Sequence, residues 1–567
     1  MIILSIPTGF LAGLAAVIIK NLTHFIKDLV TSGSAKEYSN LLYFIYPAIG
    51  IFLTLIFLRY IAKREAGHGI PGLLYAISRK KGIVKAYNMY VSMISSALTV
   101  GFGGSVGLEG PSVSTGSAIG SNIGQFLRLN FKQLTMMISM GGAAALAAIF
   151  QAPITGIVFA IEVLMIDLSI NALIPLIISA FVGVLTSYFL LGQAVEYIVD
   201  LSESFIPGNT LYYICLGILL GFVSAYFMRV IFRSEKFFEK LGTWWKRFLV
   251  GSSVLGLLIF LFPSLYGEGY EAINLALKGD HSSLYNNSVF YAFKDNLWVI
   301  FALFVVVILM KAFATAFTFG AGGVGGTFAP SLFCGSITGL FFAFLINHLG
   351  LGNLNPVKFA LVGMGGMVAG VLHAPLTGIF LIAEITNGYS LIVPLMLVST
   401  SAFLINRIFY KHSVYTRSVA EQGALLTHNK DRSILNLMNV GPLVETDFNI
   451  VRPGQQLRDL IPVISGSKRN IFPVVSEEGL FMGHVLFDDV RTVMFDQSLY
   501  DTPVENLMVI PKYIINPNET MEEVAEKFHV SGKYNIPVVQ KEQYIGYISR
   551  ANVFSAYRNK LSELSDD

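Results

Sequence analysis

A single carboxylate stands where an apolar chain tolerates it least. Glu109 lies in GGSVGLEGPSVSTGSAIG (103–120), between two glycines and just ahead of Pro111. An ionised carboxylate inside a membrane is costly, so such residues mark ion pathways or proton relays. The glycines permit tight, irregular backbone, and Pro111 suits the first turn of a helix. The first amides of a helix have no internal partners and carry partial positive charge, so an anion can dock there without a fixed cation. A carboxylate at that point could occupy the anion position itself and leave when protonated, acting as a gate and as a proton carrier. The pattern recurs as GGVGGTFAPSLFCGSITG (322–339), and GHGIPGLL (67–74) adds a third helix start. Two or three such starts facing one point would make an anion site within the membrane. The residues alone leave two plainer readings open: glycines that only allow close helix packing, and Glu109 as a structural cap.

The elements that must position these residues are membrane helices. The chain has 567 residues, 54% hydrophobic and only 13% charged, against about 25% charged in an ordinary soluble domain. The charge is uneven: the last 147 residues carry 20 acidic and 14 basic, the first 420 carry 16 and 25. This composition shift predicts a polytopic membrane domain over 1–420 and a soluble domain over 421–567. It excludes disorder, collagen and a secreted disulfide scaffold. Cys215 and Cys334 are the only cysteines, no HExxH occurs among nine histidines, and no Walker A motif is present, so a metal centre, a zinc protease and direct ATP drive are not expected. The apolar N-terminus lacks a basic leader region and reads as the first membrane helix.

Basic residues gather in three clusters: Arg59 to Lys85, including Lys63 and Arg64; Arg229 to Arg247; and Arg407 to Arg417. The positive-inside rule puts all three, and the tail, in the cytoplasm, with loops 192–209 and 279–297 outside. The expected location is the inner or plasma membrane.

The membrane part repeats. GGAAALAAIFQAPITGIVFAIEVL (141–164) matches GMGGMVAGVLHAPLTGIFLIAEIT (363–386) at offset 222, aligning Glu162 with Glu384; GLEGPS (107–112) matches GTFAPS (326–331), and GHG (67–69) matches GEG (267–269). The halves run over about 1–195 and 208–412. Repeated halves are a transporter hallmark, and an inverted arrangement places ligand sites near the midplane. Segments 68–77, 153–167 and 375–386 are too short for a straight crossing of roughly 20 residues, which predicts half-helices ending inside the membrane.

These motifs together resemble the CLC chloride channels and chloride/proton antiporters over nearly all of 1–420. The family's motifs stand here as GHGIP (67–71), GLEGP (107–111), GTFAP (326–330) and SVYTR (413–417), with APxTGI and a glutamate in both halves. The resemblance implies an all-α inverted-repeat fold of about seventeen tilted and half-spanning helices. It implies a homodimer with one anion pathway per subunit and Glu109 as the gating glutamate. It implies an anion site built from His68, Gly69, Gly107, Leu108, Gly110, Thr327, Phe328 and Tyr415, with backbone amides from Thr327 and Phe328 and the hydroxyl from Tyr415. Three positions depart from the pattern. His68 replaces the serine that would contact the central anion, and imidazole titrates near physiological pH. Leu108 replaces a basic residue. Val163 stands where antiporters of the family often carry a second glutamate, as in many of its channels. The fluoride-selective branch alters these motifs, so fluoride is disfavoured.

The tail repeats as well: FPVV (472–475) recurs as IPVV (536–539), and GHVLFDDV (483–490) aligns with GYISRANV (546–553). Each unit reads as strand–helix–strand–strand–helix. It resembles a tandem CBS pair, an α+β module, over about 430–497 and 500–567. Such pairs sometimes hold an adenine nucleotide through a Ser or Thr followed three residues later by Asp. The first unit has Leu486 and Asp489, the second Ser549 and Asn552. Asp489, Ser549 and Asn552 are the candidate contacts, and a structural or dimer-stabilising role is the stronger expectation.

The expectation is therefore a non-enzymatic chloride transport protein, a channel or a chloride/proton antiporter, partnered by small anions, protons and lipid, with no nucleic acid and no required cofactor. A CBS-regulated magnesium transporter is the alternative. It would need carboxylates converging on a hard cation, and the Gly-rich helix starts favour anions instead.

Overall fold

The apolar run at the N-terminus forms one long helix, α1 (Ile2–Thr31), as its continuous hydrophobicity requires. The computed structural model describes residues 1–31, 39–63, 69–165, 170–192, 206–277, 297–422, 435 and 438–565. His68, Gly67, Arg64 and most of the two expected outer loops lie outside the described residues. Two units separate, Met1–Leu425 and Leu426–Asp567.

Among the described residues the first unit holds seventeen α-helices. In chain order the next are α2 (Ser39–Ile56), α3 (Gly69–Arg79), α4 (Asn88–Gly101), α5 (Glu109–Phe126), α6 (Phe131–Phe150), α7 (Pro153–Glu162) and α8 (Ile170–Leu191). The second half repeats this series as α9 (Thr210–Lys240), α10 (Trp244–Leu261), α11 (Tyr270–Leu277), α12 (Leu297–Gly320), α13 (Phe328–His348), α14 (Pro356–Leu372), α15 (Pro375–Ile385) and α16 (Ile392–Phe409), with α17 (Arg417–Glu421) closing the unit. Nine helices among the described residues are long and apolar enough to cross a bilayer. The short ones fall where the sequence placed them. At 10 residues, α7 reaches about 15 Å, half of a hydrocarbon core of about 30 Å; α3 and α15 have 11 each.

Two reciprocal contacts establish that the repeat is inverted. Glu162, the last residue of α7, accepts hydrogen bonds from the amides of Leu376 (3.0 Å) and Thr377 (2.8 Å) and the Thr377 hydroxyl (2.7 Å) at the start of α15. Near the end of α15, Glu384 accepts the same set from Ile154 (2.8 Å), Thr155 (2.7 Å) and the Thr155 hydroxyl (2.6 Å) at the start of α7. Each helix's C-terminal carboxylate caps the other's N-terminus, so equivalent helices run antiparallel. Residue i meeting j while j meets i is the mark of a two-fold relation. Inside a bilayer no water replaces a lost cap. Glu384→Ala is therefore expected to destabilise the membrane unit by roughly 2–5 kcal/mol, since it strands several donors. Adding Glu162→Ala should cost less than the sum of the single changes, because both sit in one interface. Denaturant melts of the three variants in detergent check this.

Glycines at the crossings serve close packing as well. An ideal Cβ on Gly120 of α5 would fall 2.0 Å from the Met137 carbonyl oxygen of α6, and one on the equivalent Gly339 of α13 would fall 2.0 Å from that of Phe359 in α14.

The tail contains two hairpins. Strands β1 (Ile471–Val475) and β2 (Phe481–Leu486) pair antiparallel with Pro473 opposite His484; β3 (Asn535–Gln540) and β4 (Gln543–Ser549) pair with Pro537 opposite Tyr547, and both hairpins carry a bulge at the same point. Each packs against one helix, α18 (Leu457–Gly466) or α19 (Met521–Ser531), with α20 (Arg550–Ser565) following β4. The cores interleave. Val440 and Leu443 pack into the second unit's core with Phe528 and Val538, and Val504 packs into the first with Phe472 and Val485. The hairpins meet through His484, whose Nδ1 lies 3.2 Å from the Tyr547 hydroxyl. Burial pushes the His484 imidazole from its ordinary 6.5 down to about 4, with Lys533 adding to the effect and Asp489 opposing it. The unfolded chain then binds the extra proton between these values, so the tail loses stability as pH falls from about 6.5 to 4. At about 1.4 kcal/mol per unit the loss is on the order of 2–3 kcal/mol. The tail transition followed by circular dichroism should show it, and His484→Gln should flatten it.

Candidate functional site

The two Gly-rich loops of the repeat meet back to back. The Gly107 amide donates to the Gly326 carbonyl at 2.9 Å, and the Gly326 amide to the Gly107 carbonyl at 2.7 Å, an antiparallel bridge between equivalent residues. Gly110 lets the two loops approach closely here, since a Cβ on it would lie 3.1 Å from the Gly326 Cα. This bridge sets the starts of α5 and α13 side by side. Their N-cap residues adopt nearly the same backbone, Leu108 at φ −88°, ψ −13° and Thr327 at φ −89°, ψ −3°, and neither cap side chain bonds its helix. The neighbouring helices differ: Asn130 closes α6 with a capping box, and the Asn355 side chain accepts from two amides of α14. The starts of α5 and α13, neither bonded by its own cap side chain, thus lie against each other, an arrangement an anion can use.

Glu109 is the first residue of α5 and is 1% exposed. The Tyr270 hydroxyl donates to its Oε1 at 2.5 Å. The carboxylate folds back over its own loop, and a Cβ on Gly107 would come within 2.1 Å of its Oε2. Tyr415 is buried, and the Thr327 hydroxyl donates to its hydroxyl at 3.4 Å. That tyrosine is held by a tight turn in which the Ser413 amide donates to the Thr416 hydroxyl (3.0 Å), and by the Val414 amide on the Val371 carbonyl. Phe328 is buried and its ring meets Phe150 at 5.4 Å. Gly69 opens α3 at φ +57°, a conformation that favours glycine, and α3 packs against both α5 and α17.

The structure thus brings Gly107, Leu108, Glu109, Gly110, Thr327, Phe328 and Tyr415 together and sets α3 beside them. His68 lies outside the described residues. Three groups that the motif reading passed over join the site from the second half. Glu268 accepts from the Leu108 amide at 3.1 Å. Tyr270 reaches Glu109. Lys311, fully buried in α12, donates to the carbonyl of Gly267 at 3.0 Å and holds the segment that carries the other two. Two of these were signalled by their type: Glu268 lies in the GEG match, and Lys311 is a lone cation in an apolar 24-residue helix, both cases in which an intramembrane charge points to function. Val163 is buried at the C-cap of α7.

In the tail the candidate contacts divide. The Ser549 hydroxyl donates to Glu445 Oε1 at 2.5 Å, the Asn552 amide donates to the Ser549 hydroxyl at 3.1 Å, and the Asn552 side chain donates to the Leu443 carbonyl at 3.1 Å. Arg469 pairs with Glu445 at 2.8 Å. Asp489 is exposed at the equivalent place of the other unit.

The chain matches the family model described as voltage gated chloride channel over residues 49–407 and that of the CBS domain over 504–559. It is 30% identical over 380 residues to a putative chloride channel protein ClcB-like of Ralstonia nicotianae, covering 66% of this chain and 84% of that one. It is 28% identical over 438 residues to the H(+)/Cl(-) exchange transporter ClcA of Yersinia pestis, covering 74% and 87%. Among solved structures, a slow cyanobacterial Cl-/H+ antiporter superposes with a TM-score of 0.59 at 22% identity, covering 74% of this chain and 98% of the other, which shows the shared fold. With the inverted repeat, the paired open helix starts and these matches, the chain belongs to the voltage-gated chloride channel family as an integral membrane protein with a C-terminal CBS domain.

Proposed function

We propose that the protein exchanges chloride for protons across the membrane, with Glu109 as the gate. The observation that carries this reading is the buried Glu109 carboxylate lying between two facing helix starts that their own caps leave open. Ionised, it occupies the position an anion would take; protonated, it loses its electrostatic hold, swings away and admits chloride to amides supplied by Gly110, Thr327 and Phe328, with the Tyr415 hydroxyl as a further donor. Gly69 and His68 would line the approach from α3. Relatives that are exchange transporters support the coupling to protons. The apolar, buried Val163 supports a second reading, chloride conduction without stoichiometric proton movement.

One experiment separates the two. Purified protein in liposomes with an imposed chloride gradient is followed by chloride and pH electrodes together. Exchange predicts proton movement against its own gradient, driven by chloride; conduction predicts chloride flux with the pH trace flat. The same reading includes a homodimer with one pathway in each subunit, and a tail in the cytoplasm on the side of the three basic clusters. For the tail a structural role has more support than nucleotide binding. An adenine nucleotide at Ser549 and Asn552 would have to displace the Glu445 and Leu443 oxygens that already hold them.

A further inference from the structure

A charged cavity lies in the membrane unit, lined in part by Arg417, two residues beyond Tyr415. It has a volume of about 510 Å³, is open to one side, and is bordered by the last turns of α9, the end of α16 and α17. Arg229, Arg233 and Lys236 face it from α9, and Lys411, His412 and Arg417 from the segment after α16. The spacing of the first three, i, i+4 and i+7, puts them on one helical face. Glu421 is the only carboxylate among the lining residues, and it is spent on Arg417 Nε at 2.8 Å. Among the described residues no carboxylate forms an ion pair with Arg229, Arg233, Lys236 or Lys411. The floor is rigid. The Phe232 ring is buried, the Arg417 guanidinium lies 3.9 Å over its centre, and Tyr410 meets it edge-on at 5.7 Å. Phe409 of the lining is exposed, as are Leu404 and Ile408 in the last turns of α16 and Phe237 in the last turn of α9. Two of the three basic clusters meet here, at the face the positive-inside rule assigns to the cytoplasm.

We propose that this cavity binds the phosphate headgroup of an anionic membrane lipid. The cationic side chains match a phosphodiester and its polar substituents, guanidinium groups being suited to phosphate, and the adjoining apolar side chains suit acyl chains. A basic pocket among membrane helices at the cytoplasmic face is where such headgroups are held. The shared chemistry is a phosphate ester, which a soluble metabolite could also supply, so the test separates the sources.

The full chain, stripped of lipid, is offered phosphatidylglycerol or phosphatidylcholine of identical acyl chains, and retained lipid is counted by native mass spectrometry. The expected result is at least tenfold preference for phosphatidylglycerol. It should be lost in Arg229→Gln/Arg233→Gln/Lys236→Gln, kept in Arg229→Lys/Arg233→Lys, and kept in Arg79→Gln/Lys80→Gln/Lys81→Gln, which removes equal charge from another cluster. Melting temperature confirms that each variant is folded. Competition by glycerol 1-phosphate as strong as that by the lipid would reassign the site to a soluble phosphate ester and overturn the lipid. No preference in the wild type, as when the acidic tail fills the cavity, or equal losses in both triple variants, would overturn the site altogether.

Discussion

Glu109→Gln is expected to abolish uphill proton movement while chloride still crosses. The substitution keeps the shape of the side chain and the hydrogen bond it makes with Tyr270, and removes the one property the gate depends on, a charge that protonation can cancel. Proton flux should fall at least about a hundredfold, equivalent to roughly 2.7 kcal/mol in the coupled step. Chloride flux should stay within a few-fold and become insensitive to pH between 4 and 8. Paired chloride and pH electrodes on the same liposomes read both quantities. Persistent proton pumping in this variant would transfer the proton role to another carboxylate, with Glu268, on the Leu108 amide, the first to examine.

Gly107→Ala should uncouple the protein by a different route. The new methyl would lie 2.1 Å from Glu109 Oε2 and 2.9 Å from the Ala329 Cβ, closer than atoms can approach. The Gly107–Gly326 bridge fixes the backbone on both sides, so the flexible carboxylate moves. With the gate displaced, the two helix starts are open to chloride whatever its protonation. The proton-to-chloride ratio should drop about tenfold or more, with chloride flux at neutral pH equal to or above that of the parent. Tyr270→Phe, which removes only the donor to Oε1, should move flux in the same direction by a smaller factor. A Gly107→Ala protein that keeps the parental ratio would show that the carboxylate does not work from the position seen here. Melting temperature guards against a trivial loss of fold, because the methyl also meets the buried Ala329.

Much of this molecule follows from residue type and spacing. Long apolar runs and sparse charge determine a membrane domain, and the denser charge after residue 420 marks a separate tail unit. The matches at offsets near 220 determine two like halves, and the Gly-Pro helix starts with Glu109 predict an anion-handling site. The tertiary structure alone decided the rest, because each remaining feature is a contact between residues distant in the sequence, from 44 to 230 positions apart. That the halves are inverted rests on Glu162 and Glu384 capping each other's helices; a sequence repeat has the same pattern whether its second copy points up or down. Those two carboxylates read as membrane charges of open purpose, and the fold employs them as caps. Glu268, Tyr270 and Lys311 join the site only because the segment after α10 crosses over the start of α5, and no local periodicity encodes that crossing. In the tail, Ser549 and Asn552 carry part of a nucleotide pattern; their engagement by Glu445 and Leu443 depends on the chain's first tail segment returning to the second hairpin. Helix and half-helix lengths are local properties of the chain. Which helix ends face one another is a property of packing, and in this protein that packing builds the site.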